Sequence, residues 1–147
     1  MLKEKEIVDI VKKYLKDRGY VIKNPEKTVN DHGCDIITET HKKWRKNYYI
    51  EAKGEGIGKN EHPTKNNAFW TLFGQTLSRM DIKGNDPKKG RIYAIAIPAK
   101  WEELYKNKIS KMVYGWRLLK LKVFLVDDSQ NVKEVSYGYF LKNKINN

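Results

Sequence analysis

Between Glu4 and Arg18 the apolar residues Ile7, Val8, Ile10, Val11, Tyr14 and Leu15 recur every three or four positions among lysines and acids. That spacing predicts an amphipathic helix with one buried face, ended at Gly19. A strand period of two then takes over. Tyr20-Val21-Ile22 reads as a short strand and Asn24-Pro25-Glu26-Lys27 as a turn. A second strand begins at Cys34-Asp35-Ile36-Ile37 and ends near Thr38, and a third runs from Tyr48 to Lys53. His41–Lys46 between them would close a hairpin, bringing the second strand back beside the third. Residues 54–67, rich in Gly, Asn and Lys, read as a long surface loop, with a flap over a substrate as the functional alternative. Its glycines miss the dinucleotide pattern, because Lys59 stands where the last glycine belongs.

Ala68–Met80 reads as a second helix with Phe69, Leu72, Phe73, Leu77 and Met80 inward. After a turn over Gly84–Gly90, Arg91–Ile97 is almost continuously apolar, as for a central strand buried on both faces, and Pro98 stops it. Trp101–Met112 reads as a third helix, Leu121–Val126 as a strand, Asp127–Asn131 as a turn and Val132–Val135 as a final short segment. A tail over 142–147 is expected to fray. The succession of helix, three strands, helix, strand, helix, strand predicts an α/β fold: a mixed sheet flanked by helices, in a single domain over residues 1–147.

Charge adds a partner. Thirty Lys and Arg face 18 Asp and Glu, a net charge of +12. Such a surplus suits nucleic acid, where neutralised phosphates release counterions, although a lysine-biased composition alone would produce it too. Cys34 is the sole cysteine, which rules out an intrachain disulfide and a cysteine-rich zinc site and fits a reducing cytoplasm; it reads as a small core filler. No apolar run approaches the roughly 18 residues of a membrane span, and Met1–Glu6 lacks a signal-peptide core.

The candidate chemistry lies on the second and third strands. Glu51 and Lys53 share one strand face while Ile50 and Ala52 turn to the core, and the hairpin would lay Asp35 beside Glu51. Asp81-Ile82-Lys83 and Asp86-Pro87-Lys88 repeat the acid-x-Lys triplet, but at a helix end and in a turn. Two carboxylates suit a hard cation such as Mg²⁺, with Mn²⁺ as substitute and the Ala52 carbonyl as a further ligand. Lys53 could orient or activate water or stabilise charge on a phosphate; a plain salt bridge to Asp35 or Glu51 is the alternative. Glu4 and Glu6 border the buried face of the first helix, and either could reach the site or be an ordinary first-turn acid. Gln75 and Arg79, one turn apart, could hold a substrate phosphate or form a hydrated face. Lys42, Lys43, Trp44 and Arg45 on the hairpin tip could touch nucleic acid by stacking and charge, or be solvated.

Asp35 followed by Glu51-Ala52-Lys53 resembles the signature of the PD-(D/E)XK nuclease superfamily, with Cys34 in place of the proline. The likeness covers Glu4 to about Val126. It implies the restriction-endonuclease-like αβββαβ core, Mg²⁺ held by Asp35 and Glu51, and Lys53 assisting the attacking water. Glu4-Lys5-Glu6-Ile7-Val8 with Asp17-Arg18-Gly19-Tyr20 is similar to the opening of archaeal Holliday-junction resolvases, which favours Glu4 as a further carboxylate, and Gln75 matches a glutamine found in several branches. The expectation is a Mg²⁺-dependent DNA endonuclease, duplex or branched DNA its substrate, working as a homodimer because one small unit cuts one strand. A non-catalytic nucleic-acid-binding module of the same fold, or an RNA-directed nuclease, would share these features.

Overall fold

The computed structural model describes residues 1–23, 33–39, 47–56, 61–80 and 90–144. Helix α1 (Glu4–Asp17) precedes strands β1 (Val21–Ile22), β2 (Ile36–Glu39) and β3 (Asn47–Ala52). Helix α2 (Glu61–Met80) leads to β4 (Arg91–Pro98), then α3 (Glu102–Ile109), α4 (Val113–Leu119), β5 (Lys122–Val126) and β6 (Val132–Val135). Short 3₁₀ helices cover Ala99–Trp101 and Tyr137–Lys144. The six strands form one sheet in the order β1-β2-β3-β4-β5-β6. The outer pairings are antiparallel, and β3-β4-β5 are parallel. The αβββαβ order of the sequence analysis is the order of the first six elements.

Alternation along the central strands builds two cores. Tyr93, Ile95 and Ile97 of β4 join Val123 and Leu125 against α2–α4, where Phe69, Leu72, Phe73, Trp101, Tyr105 and Trp116 fill the layer. Ala94 and Ala96 turn the other way with Ile50, Ala52, Phe124 and Val126, beneath Ile7, Val11 and Leu15 of α1. The alanines leave room for α1 to lie close to the sheet.

Several expectations need correction. β2 begins at Ile36, so Cys34 and Asp35 lead into the strand rather than lying on it, and β3 ends at Ala52, before Lys53. Helix α2 starts at Glu61, so residues 61–67 are helical and not loop; Pro63 falls in the first turn, where a missing N–H costs nothing. Leu77 is 49% exposed, because the buried stripe of α2 runs through Phe69, Leu72, Phe73, Thr76 and Met80 and leaves Leu77 on its flank. The helix expected over Trp101–Met112 breaks after Ile109, and a separate α4 follows, ended by Lys120 in the left-handed region at φ 51°. Helical backbone also extends to Lys144, into the tail expected to fray, with Phe140 buried. The hairpin tip at His41–Lys46 lies outside the described residues, but the antiparallel pairs Ile36–Ile50 and Ile37–Tyr49 are present.

Where α1 begins, it meets the chain leaving β3. The Glu55 amide donates to the Leu2 carbonyl at 2.7 Å, and the Leu2 amide to Glu55 Oε2 at 2.6 Å. Gly54 sits so close that a Cβ there would overlap the Glu4 nitrogen and the Lys3 carbonyl carbon. We therefore expect Gly54→Ala to lose about 1–3 kcal/mol of stability in urea unfolding, the usual cost of overpacking. Gly74→Ala, whose Cβ would meet nothing within 4 Å on a helix interior, should be neutral or gain up to about 1 kcal/mol. Equal losses in both would dismiss the close approach as the cause.

Candidate metal and phosphodiester site

Glu51 is a carboxylate built into a sheet. Its place on β3, opposite Ile95 of β4, turns it toward α2, and it is only 3% exposed. Burying a charge demands a partner, and Arg79 in the last turn of α2 supplies one: its Nε lies 3.0 Å from Glu51 Oε1. Arg79 Nη2 also donates to the Gly33 carbonyl at 3.3 Å. Tyr93 holds this helix end by donating its hydroxyl to the Arg79 carbonyl at 3.2 Å, and Arg91 donates to Tyr93 in turn.

Asp35 reaches the same place from the mouth of β2. Its Oδ2 accepts the Ala52 amide at 2.8 Å, which fastens the lead-in of β2 to the end of β3. The two carboxylates are near enough to act on each other. Burial, then the charge of Asp35, push Glu51 up to about 7, against the opposing pull of Arg79.

Lys53 continues the face of Glu51 beyond the strand end, its amide donating to the Ala96 carbonyl at 3.0 Å. Its Nζ lies 3.2 Å from Glu4 Oε2, so the alternative of a salt bridge is realised, but with Glu4 rather than with Asp35 or Glu51. The two helix acids take different places. Glu6 Oε2 accepts the Lys3 amide at 2.7 Å, satisfying the N-cap donor of α1, while Glu4 Oε2 lies at Lys53. Gln75 lies one turn before Arg79, and its Oε1 is buried without a hydrogen-bond partner. Lys42, Lys43, Trp44 and Arg45 lie outside the described residues.

Sequence reasoning missed Glu55, which is 5% exposed and paired with Lys100 at 2.9 Å. Its place follows from the chain leaving β3 against the start of α1, a contact between distant segments that the sequence does not display. Also missed were Tyr93 and Arg91, whose support of α2 depends on strand register.

Among the described residues no three His, Cys, Asp or Glu side chains gather as a metal-binding group. Asp35 and Glu51 gather as a pair, with the Ala52 backbone bound to Asp35. That donor set does not suit zinc, which takes nitrogen and sulfur ligands in closed sites. It fits Mg²⁺ or Mn²⁺, which take few protein carboxylates and fill the remaining positions with water and substrate phosphate. Burial and the charge of Asp35 raise Glu51, and a divalent cation bound there would act in the opposite sense.

The fold resembles the crystal structure, at 1.60 Å resolution, of an XisH family protein from Nostoc punctiforme PCC 73102. The TM-score is 0.55 at 17% identity, over 86% of this chain and 95% of that one, a likeness of fold alone. No protein-family model matches the chain, and no curated protein sequence matches it significantly. No helix among the described residues is long and apolar enough to cross a membrane.

Glu51 carries a stability signature. Between its ordinary value of 4.5 and about 7 the folded chain holds a proton that the unfolded chain has released. Stability attributable to Glu51 is thus full at low pH and is lost as pH rises through 7. In EDTA, the native protein should lose on the order of 3 kcal/mol relative to Glu51→Gln between pH 4.5 and 8, measured by urea unfolding. Parallel pH profiles for the two proteins would assign the burial cost elsewhere.

Proposed function

We propose that this protein is a divalent-metal-dependent nuclease that hydrolyses phosphodiester bonds in DNA. The carrying observation is that Asp35 and Glu51 meet at the end of β3, with Lys53 next along the same face. The PD-(D/E)XK resemblance of those residues supports the reading, as does the net charge of +12.

Asp35 and Glu51, with the Ala52 carbonyl, would hold Mg²⁺ or Mn²⁺; bound there, the ion supplies Lewis acidity toward the scissile phosphate and eases deprotonation of water. Lys53 presents a compact cation to the attacking water or to the charge growing on the phosphate. Glu4 steadies that ammonium by its 3.2 Å contact and stands ready as a further carboxylate. Gln75 and Arg79, on the α2 face turned to the carboxylates, bind the DNA backbone; the unpartnered Gln75 Oε1 could take a water shared with it. Two copies would serve the two strands of a duplex, and sedimentation of the DNA complex as a monomer would remove that part of the proposal.

Supercoiled plasmid incubated with Mg²⁺ or Mn²⁺ should be nicked, and EDTA should stop it. Asp35→Ala, Glu51→Ala and Lys53→Ala should each lower the rate by about 10²-fold or more, with near-ultraviolet circular dichroism unchanged. Full activity in any one removes that residue from the mechanism. Salt-sensitive DNA binding that is indifferent to EDTA, with no cutting of plasmid, branched DNA or RNA, would instead favour a binding module; the existing neutralisation of Glu51 by Arg79 suits that reading.

A further inference from the structure

Arg79 occupies an odd position for a residue that binds substrate. Its guanidinium is already committed to the carboxylate centre: 3.0 Å to Glu51 on β3 and 3.3 Å to the Gly33 carbonyl, two residues ahead of Asp35. Gly33 adopts φ +118°, a conformation that favours glycine, so the carbonyl that receives Arg79 is presented by a specialised turn. The Arg79 backbone is fixed by Tyr93, while its side chain keeps 31% of its surface in solvent. The anchored helix end and the long side chain together allow the guanidinium to move without moving α2.

We propose that Arg79 is a positioning residue that stands in for the divalent ion: it occupies Glu51 until a DNA phosphate draws it away, so that metal loading and DNA binding reinforce each other. This rests on the nuclease reading above. At the pH of the test below, three charges meet at the centre, Asp35 and Glu51 negative and Arg79 positive. A divalent cation entering beside the guanidinium meets repulsion and competes for the same Glu51 oxygen. A phosphodiester offers the guanidinium two oxygens in the planar geometry it prefers. Once Arg79 pairs with phosphate, Glu51 is a buried carboxylate without its cation, and binding an ion becomes the way to neutralise it. Linkage then requires the reverse as well: an ion on Glu51 releases Arg79 for the phosphate and tightens DNA binding. Lysine would supply the charge at Glu51 without the fork that reaches Gly33 and phosphate together.

The test reads metal occupancy, not cleavage. Mn²⁺ binding is measured by the paramagnetic signal of the free ion at pH 8.5, for the full chain, Arg79→Gln and Arg79→Lys. Each is measured alone and with a short DNA duplex, on a timescale before cutting. The native protein should bind Mn²⁺ weakly alone and at least about fivefold more tightly with DNA, within the usual range of coupling between sites. Arg79→Gln should bind Mn²⁺ about tenfold more tightly than native without DNA, and DNA should tighten its binding by a smaller factor than it does for native, the remainder being the phosphate's own ligation of the ion. Arg79→Lys should stay near the native value without DNA. Arg79→Gln binding that equals or falls below native, in a folded protein, overturns the proposal while leaving the metal centre intact. If Mn²⁺ binds neither protein, or binds Glu51→Gln as well as native, the metal reading fails with it.

Discussion

Glu51 in the sheet is the constraint on which the rest is arranged. A carboxylate at 3% exposure is tolerated only where the structure around it supplies charge and hydrogen bonds. Arg79 does so from α2, which fixes the end of that helix against β3 and β4 through Tyr93. Asp35 works in the opposite sense. It adds a negative charge where one is already costly, while its contact with the Ala52 amide ties β2 to β3. Burial and the neighbouring Asp35 together outweigh the pull of Arg79 and hold Glu51 above its ordinary value.

The parallel arrangement of β3 and β4 determines where this pair lies. Parallel strands buried on both faces by helices leave their carboxyl ends as the place where polar groups can reach solvent. Glu51, Lys53 and Glu55 fall there in succession on β3 and its extension, with Lys100 following β4. The start of α1 reaches the same end by lying against Gly54. Glu4 therefore reaches Lys53 across the edge of the sheet, although α1 covers the opposite face from α2. The close approach at Gly54 thus belongs to the geometry of the site as much as to the fold.

Much of this was legible in the chain. Strict alternation in Tyr48–Lys53 assigned Glu51 and Lys53 to one face, and the apolar run of β4 marked the centre of the sheet. Those signals are local, set by a period of two. What escaped depends on contacts between distant segments. Leu77 reads as core by helical spacing, but the width of the face that α2 buries depends on how the helix lies on the sheet. Arg79 read as a phosphate contact because sequence shows a cation on a helix, not the buried acid 28 positions earlier that claims it. Glu4 and Glu6 look alike in the sequence, and only the fold shows that Glu6 takes the Lys3 amide while Glu4 lies at Lys53.

A second buried acid shows what sets the first apart. Glu134 on β6 is also partly buried, and burial likewise works against its charge. Yet Tyr48 donates to it at 2.5 Å, Lys122 at 3.0 Å and Tyr14 at 3.2 Å, and together they hold it below the ordinary carboxylate value. Every partner there is a donor, and the cluster ties α1, β3, β5 and β6 into one unit. Glu51 is buried deeper and has Arg79 as donor and Asp35 as rival, and burial first and Asp35 second raise it. Burial works against the charge of both acids, more strongly at Glu51, and at Glu134 the donors outweigh it. The difference lies in whether the neighbours complete the charge or leave it incomplete. Glu134 is complete and structural; Glu51 is incomplete, at the open end of the parallel strands, where an ion and a phosphate could finish it.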